Sequence, residues 1–210
     1  MAIVQLQFYP QAIVGLLNKS WDWDTDVVKA TLHTSTYTPA AGNVFFSDAT
    51  NELAGTNGYT VGGKTLGSRS TTAVAANSWA QVWAGTTAYN VGELRRPTAG
   101  NGFVYRVAVA GTSSGSAPTW PTVIGQTVAD GGVTWTCVGR NVVQLVGPAL
   151  NWASPFDATF RHIVFWVDTA GASTTDPLIG YGTYSVDQVG GGGAFDFTPD
   201  AAGYFAIPVP

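Results

Sequence analysis

Few side chains in this sequence are of a type and spacing that could do chemistry. Three aspartates alternate in "DWDTD", Asp22, Asp24 and Asp26, the spacing with which calcium loops begin. Val27 stands where such a loop needs a glycine, and no glutamate occupies the closing position. The segment reads as a polar turn with Trp21 and Trp23 packed on a core; calcium is the alternative. His33 and His162 each lie inside a strand-like run with no partnering motif, so both read as hydrogen-bonded histidines of a strand face. Cys137, the single cysteine, can form no internal disulfide and reads as a small buried hydrophobe in "GVTWTCVG". The four glycines at 190–193 lack the strand-to-helix setting of a phosphate cradle and read as a turn or hinge. No nucleophile elbow, metalloprotease helix or paired cysteines occur. The expectation is a non-enzymatic chain with no catalytic, metal-binding or cofactor-binding residues.

Aromatic rings are the remaining chemistry. Trp83, Tyr89, Tyr105, Trp120 and Trp135 crowd into one stretch. A ring face suits the apolar C–H face of a sugar, but a small β-module also needs aromatics to build a core. Trp83, Tyr105 and Trp135 lie in strand patterns and are predicted to be core. Tyr89 and Trp120, beside loops, are the candidates for glycan binding.

The elements that would carry these residues are almost all strands. "PQAIVGLLNKS" predicts one short helix, with Pro10 near its start and Ile13, Leu16 and Leu17 on one side. "DVVKATLHTS" alternates, and "RHIVFWVDT" is apolar enough to be a strand buried on both faces. Turn-forming segments such as "TPAAGN" and "TAGASTTDP" separate the runs. From Trp79 to Arg140 the texture changes: "VGELRRP" and "FVYRVAVAG" flank the hairpin loop "TAGNG", and "DGGVTWTCVG" adds another strand. This predicts an all-β chain, a sandwich or barrel-like host of residues 1–78 and 141–210 with one short N-terminal helix. Residues 79–140 form an inserted, projecting β-module.

Composition narrows the setting. Of 210 residues only 10% are charged and 45% are hydrophobic, against roughly a quarter charged in ordinary soluble domains. A net charge of -4 with scattered Lys and Arg argues against a nucleic-acid partner. No stretch approaches the ~20 apolar residues of a membrane span. The N-terminal "MAIVQLQFYPQAIVGLLNKS" lacks the pattern of a signal peptide, so synthesis in a host cytoplasm is expected.

Two resemblances add to this reading. "WAGTTAYNVGEL" followed by "GFVYRV" resembles the short chitin-binding type of carbohydrate-binding module, from whose strand pattern Arg106 departs. In the flanks, "DWDTD" before a strand, "STYTP" and "GTNGYTVGGKTL" look like the N-terminal half of a family of small virion structural proteins of tailed bacteriophages. "ATFRHIVFWVDTAGASTTDPLIGYGTYSVDQ" and "AFDFTPDAAGYFAI" look like its C-terminal half. The resemblance implies a virion location and a capsid decoration protein that binds the shell exterior. Its partners would be the major capsid protein and further copies of itself. A tail or fibre adhesin that binds a host surface glycan is the alternative. The apolar terminal segments "MAIVQLQFYP" and "AAGYFAIPVP" are then expected to be assembly arms that order against a neighbour, through Ile3, Val4, Leu6 and Phe8 and through Tyr204, Phe205 and Ile207.

Overall fold

The fold is taken from a computed structural model, which describes residues 6–75, 80–139, 141–199 and 203–209. Strand β1 (Gln7–Phe8) leads into the helix α1 (Pro10–Leu17). Pro10 stands in the first turn of the helix, where its missing N–H costs nothing. Trp21 folds back beneath α1 and donates its indole N–H to the Ala12 carbonyl at 3.0 Å. That approach depends on Gly15, because a Cβ there would meet the Trp21 ring at 2.6 Å. Trp23 is equally buried, so both tryptophans of the acidic turn pack inward as expected.

After α1 come β2 (Val28–His33) and β3 (Lys64–Thr65). The middle of the chain supplies β4 (Ser70–Ala75), β5 (Ala88–Tyr89), β6 (Leu94–Arg95) and β7 (Val104–Val109). It continues with β8 (Gly111–Thr112), β9 (Thr127–Asp130), β10 (Val133–Gly139) and β11 (Asn141–Val146). Then follow β12 (Leu150–Trp152), β13 (Thr159–Val167), β14 (Leu178–Val189), β15 (Phe195–Phe197) and β16 (Phe205–Val209). The chain is thus all-β with one short helix. It divides into two compact units, Met1–Ser70 with Gly147–Pro199, and Thr71–Val146 with Asp200–Pro210.

The first unit is built on an antiparallel five-stranded sheet in the order β1-β14-β13-β2-β3. Strand β13 is buried on both faces, as its apolar run predicts. Ile163 and Phe165 point to one side, where Phe165 meets Phe197 of β15 at 5.9 Å between ring centroids. Val164 and Trp166 point to the other, under Tyr9, Tyr37, Phe46 and Ala49.

The second unit holds a four-stranded sheet, β6-β7-β10-β9, a three-stranded sheet, β16-β11-β4, and the ribbon β5-β8. Alternation along β7 and β10 feeds two cores. Tyr105, Val107, Trp135 and Cys137 enter an aromatic core. Val104 and Val138 enter a second, aliphatic one with Leu94, Val142 and Ala206. Cys137 is fully buried, as its reading as a small hydrophobe requires. Strict alternation would place Val109 with Tyr105 and Val107, yet it is exposed; a register shift falls between Thr134 and Trp135, opposite the end of β7.

Two expectations are corrected here. The sequence predicts an inserted module bounded at residues 79–140, with the C-terminal segment part of the host. Instead β4, β11 and β16 belong to the second unit, because β16 pairs with β11 from Leu145↔Phe205 to Asn141↔Val209. Nor are the described terminal residues free arms. Phe8 is a strand residue opposite Gly180 of β14, and Leu6 is half-buried. Tyr204 and Phe205 are buried, and Ile207 is half-buried opposite Val143. Segments with apolar side chains and unpaired backbone found both needs met within the chain. Ile3 and Val4 lie outside the described residues.

Candidate functional site

The densest set of polar contacts near the predicted glycan residues centres on Asp130, at the end of β9. Its side chain is almost wholly buried, and a buried carboxylate is costly unless its oxygens are fully bonded. One oxygen accepts the indole N–H groups of Trp83 at 2.7 Å and Trp135 at 3.0 Å. The other accepts the Ser114 backbone N–H at 3.0 Å and the Ser114 hydroxyl at 2.5 Å. Burial alone would raise the acid's pKa, but the Ser114 and indole donors outweigh it and hold the carboxyl below the ordinary carboxylate value. The next residue, Gly131, turns the chain with φ +61°, and a Cβ there would meet the Thr112 carbonyl oxygen at 2.7 Å.

Around this carboxylate the five aromatics form one cluster. Trp83, Tyr105 and Trp135 are buried, as their strand patterns predict. Tyr89 is buried too, at 3% exposure, which corrects its reading as a surface ring. Its ring meets Trp135 edge-on at 4.9 Å, and the Arg95 guanidinium lies 5.1 Å from its centroid. Arg95 is held there by Glu93 at 2.6 Å. The Tyr89 hydroxyl donates to the Ala84 carbonyl and accepts the Ala84 N–H, tying its own loop. Trp120 is half-buried and packs against the same core, with Tyr105 at 4.5 Å, Trp135 at 5.6 Å and Trp83 at 6.4 Å. Its indole nitrogen is buried with no hydrogen-bond partner among the described residues. The structure therefore brings the two predicted residues to one core, and does not lay them out as a pair of exposed sugar platforms. Asp130, which organises that core, was missed: it precedes two glycines and reads as an ordinary turn residue.

The other candidate chemistry resolves into structure. In the acidic turn Asp22 accepts the backbone N–H groups of Asp24 and Thr25, and Asp26 accepts that of Asp22. The Arg69 guanidinium donates to the carbonyls of Trp23 and Asp26 in this turn and of Leu66. No group of three or more potential metal ligands occurs among the described residues. Gly190 and Gly192 of the glycine run donate to the carbonyls of Ala158 and Phe156, which are remote in sequence. His33 and His162 are hydrogen-bonded strand residues, and they face each other across β2 and β13.

The chain matches no protein-family model, no curated protein and no solved structure.

Proposed function

We propose that the chain is a non-enzymatic structural protein of a tailed-phage virion, a decoration protein that binds the capsid exterior and stabilises the shell. The observation that carries the reading is a charge-poor surface bearing exposed aliphatic side chains. Leu17 on α1 is 77% exposed and Val189 on β14 is 68% exposed, and Val123 and Ile124 stand exposed on the second unit. Only three ion pairs occur among the described residues. Interfaces between proteins are depleted in Lys, Glu and Asp at their centres, so such a surface suits repeated burial against neighbours. The motif resemblance of the flanks supports the same setting.

The test is to purify particles of the phage that encodes the chain and find the protein in a density map. Density on the head exterior, repeated over the shell, is expected. Density on the tail alone would replace decoration by the adhesin reading. Particles that lack the chain altogether would refute both.

A further inference from the structure

His33 and His162 are directly paired in the register of β2 and β13, and both are buried. His33 is bonded on both ring nitrogens. His33 Nδ1 lies 2.8 Å from the Thr50 carbonyl oxygen, which can only accept, so this nitrogen carries the proton. Its Nε2 lies 2.9 Å from the Thr31 hydroxyl. His162 Nδ1 lies 2.9 Å from the Thr183 hydroxyl, and its ring meets that of Tyr37 edge-on. The Thr50 carbonyl belongs to the loop between Thr34 and Asn51, whereas both hydroxyls belong to the sheet. The neutral His33 ring thus joins loop to sheet by a hydrogen bond, and His162 by its contact with the Tyr37 ring. The Tyr37 ring lies between them, 5.2 Å from His33 and 5.6 Å from His162. Phe46 of the same loop stacks on Trp166 at 4.1 Å.

The surrounding charges offer an imidazolium pair no direct partner. Asp48 accepts the Val44 and Phe45 amides, and Glu52 accepts from the Tyr59 hydroxyl and the Gly62 amide. Asp187 is paired with Arg161 at 2.8 Å, and these opposite charges act on His162 in opposite directions. Tyr9 and Tyr37 share a hydroxyl contact of 2.6 Å, and with Tyr59 and Tyr181 they are held protonated by burial. No carboxylate is hydrogen-bonded to either histidine among the described residues.

We propose that this pair is an acid-opened latch: protonation of His33 and His162 releases the Thr34–Asn51 loop from the sheet and uncovers the apolar face at Val164 and Trp166. Two like charges in register, both out of water, favour any state in which the rings reach solvent. Burial pushes His33 down to about 4 and lowers His162 in the same direction. With the folded value below the open value, the closed state is fully favoured above about pH 6.5 and loses ground as pH falls toward 4. For His33 alone, the opening equilibrium rises about 20-fold between pH 7 and pH 5.

Amide hydrogen exchange on the whole chain, corrected for intrinsic rates, reads this directly. Protection of the Thr34, Tyr37 and Asn43 amides should fall about 20-fold or more from pH 7 to pH 5, while that of Val164 in β13 changes little. The double variant His33→Gln, His162→Gln should lose most of the pH response. Equal loss in loop and sheet, or an unchanged response in the folded double variant, would overturn the latch. Should that variant not fold, an NMR titration of the wild-type imidazoles decides: both midpoints below 6.5 are expected, and a midpoint at or above it for either ring refutes the proposal.

Discussion

Asp130 fixes the aromatic core of the second unit by accepting from four donors at once, and no neutral side chain reproduces that. In Asp130→Asn the amide must turn its NH₂ either toward the two indoles or toward Ser114, leaving donors facing donors. The expected cost is about 2–4 kcal/mol, read from denaturant unfolding followed by tryptophan fluorescence. The same carboxylate sets an acid limit. Because its folded pKa is depressed, its contribution is present above the unfolded value of about 3.9 and is lost as pH falls through the lower folded value. Wild-type stability should therefore drop below about pH 4, and Asp130→Asn should flatten that part of the profile. The rings obey a similar logic: Tyr89→Ala and Trp120→Ala should each destabilise by about 2–5 kcal/mol, since both pack on the Trp135 core. Unchanged melting with lost retention on polysaccharide would instead restore them as surface binders. At this scale the sequence was legible for Trp83, Tyr105, Trp135 and Cys137, whose alternation encodes their face. It was not legible for Tyr89, which is buried by Arg95 and Trp135 through contacts that no local pattern records.

Among the elements, α1 and the long strands β2, β7, β10 and β13 follow from periodicity and from their bounding turns. Helix α1 ends at Leu17, inside the segment "PQAIVGLLNKS" that predicts it, and Gly102 at φ +81° closes the β6–β7 hairpin predicted around "TAGNG". The terminal segments were misjudged because their partners are remote. Nothing near Phe8 announces Gly180, and nothing near Phe205 announces Leu145. Loop closure of that length leaves no mark in composition. The pairing predicts a consequence. Tyr9 is fully buried beside β1, and its hydroxyl meets that of Tyr37 at 2.6 Å. Tyr9→Phe keeps the ring and deletes this bond, so a loss of about 0.5–1.5 kcal/mol in chemical denaturation is expected. Tyr9→Ala should cost about 3–5 kcal/mol, as removal of a core ring does. A neutral Tyr9→Ala would return the N-terminal segment to the status of a free arm.

The whole molecule is two units threaded by one chain, which crosses between them at Ser70, at Val146 and near residue 200. An insertion confined to 79–140 would leave by the strand next to its entry. Here the second unit takes in β4 and β11, then recruits β16 after the chain has completed the first unit. The geometry of that return makes the unit separable in a specific way. The Tyr204 amide donates to the Leu145 carbonyl at 2.9 Å, so the end of β11 and the start of β16 are already neighbours. A short Gly-rich turn can join Val146 to Gly203 as a hairpin. The resulting chain, residues 71–146 joined to 203–210, keeps both cores of the unit and, apart from Ser70 at the start of β4, every strand of its three sheets. It should unfold as one cooperative transition with native near-ultraviolet circular dichroism. The same chain ended at Val146 exposes the β11 edge and uncovers the side of the aliphatic core that Ala206 closes, so it should be less stable by several kcal/mol. Equal stability of the two forms would remove β16 from the second unit. Failure of the joined form to fold would mean that the aromatic and aliphatic cores need the remainder of the chain.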